Sequence, residues 1–116
     1  MRIARLDIEP HDEGPVIRVY GEVDLSNSDE TRNDIVRAVP HEAHGVVLDL
    51  TNTTYLDSSG IRLLFDLAER LHARRQRLVL VVSEAALVQR VVVLTKLDDA
   101  VPMLGGVDEA LAALRD

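Results

Sequence analysis

Residues 46–82 read VVLDLTNTTYLDSSGIRLLFDLAERLHARRQRLVLVV, and this stretch decides the fold. Two aliphatic runs, Val46-Val47-Leu48-Asp49-Leu50 and Leu78-Val79-Leu80-Val81-Val82, flank a segment of helical periodicity. Short continuous apolar runs of this kind suit strands buried on both faces. Between them, Ile61, Leu64, Phe65, Ala68, Leu71 and His72 share one arc of a 3.6-residue wheel, with Arg62, Asp66, Glu69 and Arg70 opposite. Strand, amphipathic helix and strand in that order predict a right-handed crossover between parallel strands.

Working outward, the same alternation continues. Upstream, Ile3, Leu6 and Ile8 precede the polar turn Pro10–Pro15 and then Val16-Ile17-Arg18-Val19-Tyr20, which predicts an antiparallel hairpin whose second strand ends at Gly21. Ser26-Asn27-Ser28-Asp29-Glu30 supplies cap residues followed by acids, the signature of a helix start, and that helix runs to about Val39 before Pro40. Downstream, Ser83 caps a helix from about Glu84 to Leu94, a short strand lies near Val101–Met103, and a last helix spans about Val107–Leu114. The expected architecture is a single α/β domain over residues 1–116. It has a mixed, mostly parallel sheet, an N-terminal antiparallel hairpin and about four helices.

The chain has 116 residues and no cysteine, which excludes a disulfide framework, a thiol nucleophile and a cysteine-ligated metal site. Its formal net charge of −7 disfavours nucleic acid and anionic lipid as partners. The excess is localised: residues 1–58 carry 5 arginines and 12 carboxylates, whereas residues 59–116 carry 8 basic and 8 acidic side chains. The N-terminal Met1–Asp7 is interrupted by charge too often for a secretory signal. No apolar run approaches the ~20 residues a membrane helix needs. A soluble cytoplasmic protein is expected, without direct membrane insertion.

Chemistry concentrates at Leu56-Asp57-Ser58-Ser59-Gly60. This segment follows a buried strand and opens a helix, and in open α/β sheets functional loops gather at the C-terminal ends of strands. One of Asp57, Ser58 and Ser59 must cap the helix, and three cap-competent residues in a row exceed what one cap needs. A second loop, Gly21-Glu22-Val23-Asp24-Leu25-Ser26-Asn27, also joins a strand end to a helix start. Neighbouring strands would put Glu22 and Asp24 on one rim with Asp57 and Ser58.

Taken in order, Gly21-Glu22-Val23-Asp24, Val46–Leu50, Tyr55-Leu56-Asp57-Ser58-Ser59-Gly60-Ile61 and Leu94-Thr95-Lys96-Leu97-Asp98 resemble the STAS domain (sulphate transporter and anti-sigma factor antagonist). The resemblance spans nearly the whole chain, with the Asp-Ser-Ser-Gly block its most specific part. It implies a bacterial anti-sigma factor antagonist that binds an anti-sigma factor and frees a sigma factor. By the same resemblance, the partner is an ATP-dependent serine kinase that phosphorylates Ser58, and a serine phosphatase resets the cycle. Glu22, Asp24, Asn27, Asp57, Ser58, Ser59, Gly60 and Leu63 form the expected partner-binding set. Within it Ser59 is the expected helix cap, and Leu63 is either an exposed anchor or a peripheral core side chain. Two departures stand out: Lys96 replaces the family's usual glycine, and Arg75-Gln76-Arg77 replaces a glycine-containing turn.

A phosphoserine at position 58 adds about −1.5 to −2 charges, and the N–H groups of a helix N-terminus can hold such a group. Other readings fare worse. Ser58 lies in no Gly-x-Ser-x-Gly elbow, His72 is expected about four turns away facing the core, and His11, His41 and His44 lie in loops whose distance from Ser58 the sequence does not fix, so it names no base for a serine hydrolase. No catalytic residue is assigned. His41, Glu42 and His44 lack the further ligands of a metal set. No glycine-rich phosphate loop is present, and no cofactor is expected. Within the same fold, the alternative is a non-phosphorylated regulatory subunit of a transporter or stress-signalling assembly. A small-ligand carrier or enzyme using the same rim is the reading from another class.

Overall fold

The computed structural model describes residues 4–83 and 87–115. Ile3, in the expected first strand, and Glu84, the expected start of the third helix, lie outside the described residues. The elements run β1 (Arg5–Glu9), β2 (Val16–Val23), α1 (Ser28–Ala38), β3 (Gly45–Asp49), β4 (Thr53–Leu56), α2 (Ser58–Ala73), β5 (Arg77–Val81), α3 (Leu87–Leu94), α4 (Leu97–Ala100), β6 (Met103–Leu104) and α5 (Val107–Arg115). The sheet order is β1-β2-β3-β5-β6, with β4 paired to β2. Only β1 runs antiparallel, against β2; the β2–β3, β2–β4, β3–β5 and β5–β6 pairs are parallel. The mixed, mostly parallel sheet with its leading hairpin is as the sequence predicts.

The strand side chains alternate between two cores. Ile17, Val19, Val46, Leu48, Leu78, Leu80 and Val82 enter the larger core with residues of α1 to α4. Val16, Val47, Val79 and Val81 face the other way, against Ala110, Leu111 and Leu114 of α5. A period-2 strand exposes both faces to burial only if each is covered. Among the described residues, α5 is the helix that covers the second face.

Three features differ from expectation. A sixth strand, β4, occupies Thr53–Leu56, part of which reads as polar loop; β2 continues past Gly21 to Val23 to pair with it. The helices number five among the described residues, because Leu97–Ala100 forms the one-turn α4. The buried face of α2 is rotated from the expected arc: Ile61, Leu63, Leu64, Leu67 and Leu71 are buried, while His72 is exposed. Leu63 packs with Thr31 and Ile35 of α1 and with Val19 and Leu48 of the strands, Leu67 is buried in the same core, and packing overrides an arc drawn from the most apolar half of the wheel. His72 therefore does not face the core. No helix among the described residues is long and apolar enough to cross a membrane.

Both departures from the glycine pattern sit where glycine would be at ease. Arg75 has φ of 59° and Lys96 φ of 61°, the left-handed region. Arg75 ends α2 in a Schellman closure, its N–H donating to His72 O and that of Gln76 to Leu71 O. The side-chain amide of buried Gln76 then donates to the Pro40 and Ala43 carbonyls at 2.8 and 2.9 Å, fastening this end of α2 to the turn after α1. The left-handed conformation costs a non-glycine residue ~1–2 kcal/mol, and glycine's extra unfolded-state freedom returns ~0.5–1 kcal/mol of that. Arg75→Gly and Lys96→Gly should each raise the unfolding free energy by about 0.5–1 kcal/mol, read as a higher urea midpoint at unchanged slope.

Candidate functional site

The site is a rim built by two strand ends that share one pairing. β2 is paired to β3 through Val16–Arg18 and to β4 through Gly21–Val23, with a register shift between Gly21 and Glu22. Gly21, at φ of 93°, takes the backbone shape this shift needs. The step from β3 to β4 is made by Asp49, whose buried carboxylate accepts from Thr51 N–H at 2.9 Å and Thr51 Oγ1 at 2.7 Å. Thr53 Oγ1 then donates to Val19 O at 2.9 Å. In this way the β2–α1 loop and the β4–α2 junction come to lie side by side.

Asp57 joins them. Its Oδ1 accepts from Ser59 N–H at 2.8 Å and Gly60 N–H at 3.1 Å, making it the N-cap of α2. Its Oδ2 accepts from Leu25 N–H at 3.3 Å, and its own N–H donates to Val23 O at 3.3 Å. Capping thus falls to Asp57, not to Ser59 as expected, because only the residue before the helix has a side chain aimed back at the first-turn donors. A further expectation changes with it. Ser59 and Gly60 N–H, two of the first three amides of α2, are already engaged by Asp57, so the helix start is not a vacant phosphate cradle.

Ser58, the first residue of α2, is exposed, and Ser59 is half-buried. Glu22 and Asp24 line one shallow cavity with Asp57, Leu25, Ser26 and Tyr55, of about 500 Å³. Of the sequence-predicted rim residues, Glu22, Asp24 and Asp57 are therefore brought together; Ser58 follows Asp57 at the start of α2, and Ser59 lines a neighbouring groove with Leu25.

Three other members of the expected set act from beneath. Asn27 is only 5% exposed; its Nδ2 donates to Glu22 O at 2.8 Å and its Oδ1 accepts from Asp24 N–H at 3.0 Å, bracing the loop. Gly60 is buried, and a Cβ there would meet Leu56 Cδ1 at 2.5 Å and Val23 O at 3.1 Å, so it permits close packing of α2 on the strands. Leu63 is 4% exposed and packed in the main core, which corrects its assignment as a partner anchor. Sequence reasoning missed two exposed apolar side chains on the rim, Leu25 at 81% and Tyr55 at 48% exposure. The available signal was a leucine set among Asp24 and Ser26, and an aromatic in a stretch read as polar loop.

The sequence model of the STAS domain family matches residues 5–110. The chain belongs to the STAS domain family. Solved structures agree. An anti-sigma factor antagonist from Mycobacterium paratuberculosis is 29% identical, with a TM-score of 0.84 over 97% of this chain and 95% of that one. The anti-sigma factor antagonist SpoIIAA in its unphosphorylated form is 23% identical, with a TM-score of 0.68 over 96% of this chain and 98% of that one. The Bacillus cell fate determinant SpoIIAA in its phosphorylated form is 22% identical, with a TM-score of 0.67 over 96% of this chain and all of that one. At that identity the two SpoIIAA structures show a shared fold.

Substitutions at two positions separate the rim's supports in this STAS domain. Asp57→Ala removes the cap and the tie to the Leu25 amide and should cost about 1–2 kcal/mol, whereas Asp57→Asn, which can still cap, should cost less. Leu63→Ala should cost about 2–4 kcal/mol as a core deletion. Urea unfolding of the three variants checks both; an unchanged midpoint for Leu63→Ala would return that residue to the surface.

Proposed function

We propose that this STAS domain is an anti-sigma factor antagonist. In its unphosphorylated form it binds an anti-sigma factor of the serine kinase type and so frees a sigma factor. Phosphorylation of Ser58 ends the complex, and a serine phosphatase restores it. The domain acts by binding and carries no catalytic site of its own, and its partner supplies the ATP. The observation that carries this reading is the setting of Ser58. Its side chain is exposed directly after the capping Asp57, whose carboxylate joins the start of α2 to the loop that carries Glu22 and Asp24. The anti-sigma factor antagonist fold of the M. paratuberculosis relative supports it, as does the existence of phosphorylated and unphosphorylated forms of SpoIIAA.

The physics of the switch follows from charge. A phosphoryl group adds about −1.5 to −2 charges beside three carboxylates. A partner surface fitted to a hydroxyl and an acidic rim then meets a dianion larger than the hydroxyl it replaces. Every ~1.4 kcal/mol lost is tenfold in affinity. Leu25 and Tyr55 supply the apolar contact that an acidic rim alone lacks, since interface cores are enriched in aromatic side chains and depleted of charge.

The test is incubation with the cognate kinase and ATP, followed by phosphosite mapping by mass spectrometry. Phosphate is expected on Ser58. Phosphate only on Ser59, or on neither serine, would overturn the assignment. In a binding titration with the anti-sigma factor, Ser58→Asp should weaken the complex about a hundredfold, and Ser59→Ala should change it little.

A further inference from the structure

A phosphoryl group on Ser58 cannot rely on the start of α2, because Asp57 already occupies the Ser59 and Gly60 N–H groups. Ser59, the neighbour of Ser58, lines a groove of about 200 Å³ between α1 and α2, in which Arg32 and Asp29 face Ser59, Arg62 and Asp66. At the ~30 Å³ a water occupies, this space takes a phosphoryl group and several waters. We propose that the groove is the seat of the Ser58 phosphoryl group, bound in cis by Arg62 and Arg32. The proposal rests on Ser58 as the modified residue.

Three observations carry it. First, Arg62 lies one turn after Ser58, an i,i+4 pair whose Cβ atoms stand ~5–6 Å apart on a helix. Arg62 is exposed and makes no ion pair with any of the described residues. Second, Arg32 reaches the same groove from α1 with its guanidinium held only by long ion pairs. Its Nη1 stands 3.5 Å from Asp29 and 3.7 Å from Asp66, and its buried Nε has no acceptor among the described residues. Charge-assisted bonds close to about 2.7–2.9 Å, so neither contact is a fully made pair. Third, Asp29 is 88% exposed and Asp66 42%. Pairs this exposed yield readily, and a phosphomonoester offers three acceptor oxygens to the planar arginine fork.

The opposing charges are Asp29 and Asp66 in the groove, Asp57 directly before Ser58 in the chain, and Glu22 and Asp24 on the cavity they share with Asp57. They raise the second pKa of the phosphoryl group, and the two arginines lower it. The latch gives the phosphorylated protein a surface of its own, with Arg62 folded back over Ser58 and the Ser59 side of the groove covered.

The experiment uses the full chain with phosphoserine genetically encoded at position 58, so it does not depend on any kinase. The ³¹P resonance is followed through a pH titration in the parent and in Arg62→Gln, Arg32→Gln and Arg32→Lys variants. Arg62→Gln should raise the phosphoserine second pKa by about one unit. Arg32→Gln should raise it by a smaller amount, and Arg32→Lys should stay near the parent. Coincident titrations of the parent and Arg62→Gln, a surface variant expected to fold normally, overturn the proposal. Kinase phosphosite mapping fails or succeeds independently. A latch without kinase modification would sink the functional reading alone, and modification without a pKa difference would sink the latch alone.

Discussion

The site depends on the fork in β2. Its first half pairs with β3 and its last three residues with β4, and the register shift at Gly21 separates the two. Without the fork, the chain would leave the sheet at Tyr20 and the β2–α1 loop would have no fixed relation to α2. With it, Val23 accepts from Asp57 N–H and Leu25 donates to the Asp57 carboxylate. Strand pairing, which is backbone chemistry, thus delivers two loops to one place. A single carboxylate then locks them together while satisfying the helix start.

That arrangement gives the localised negative charge of the N-terminal half a structural meaning. Some of its carboxylates are internal fittings. Asp49 is buried, turns the chain between β3 and β4, and lies 3.7 Å from Arg18. Glu9 accepts from His11 at 2.7 Å and Arg18 at 3.2 Å, and these contacts hold its carboxyl below the usual carboxylate range. Asp57 is a cap. Glu22 and Asp24 supply the rim with its further charge, beside the exposed Leu25 and Tyr55. A surface of this composition suits a partner with basic and apolar groups. Under the proposed function, its sensitivity to one added dianion would follow from Coulomb's law at short range.

Much of this was legible before any coordinates, for identifiable reasons. Val46–Leu50 and Leu78–Val82 are continuous aliphatic runs, and burial on both faces leaves no other composition for such strands. Asp57-Ser58-Ser59-Gly60 announces a helix start because its residues compete for first-turn amides. Other features were hidden for equally physical reasons. β4 is four residues with two threonines, too short and polar to separate from loop by periodicity. His72 faces solvent against expectation, and the choice between anchor and core for Leu63 stayed open, because a helical wheel shows which residues share a face but not which face meets the sheet. Ser59 lost the capping role to Asp57 because cap-competent residues differ by position, and position is set by where the helix begins.

The sequence by itself determined the alternation of strands and helices, the single two-faced sheet, the site of the serine block and the net charge around it. These follow from local hydrophobic pattern and from residue chemistry, which need no knowledge of distant neighbours. Only the tertiary structure decided that β2 forks and that α5 is the helix that covers the second face. It also decided that Asp57 reaches Leu25 across 32 residues of chain, and that Arg32 of α1 meets Arg62 of α2 in one groove. Those outcomes depend on register and on helix rotation. Both are settled by packing between elements far apart in the chain, through contacts that no local pattern encodes.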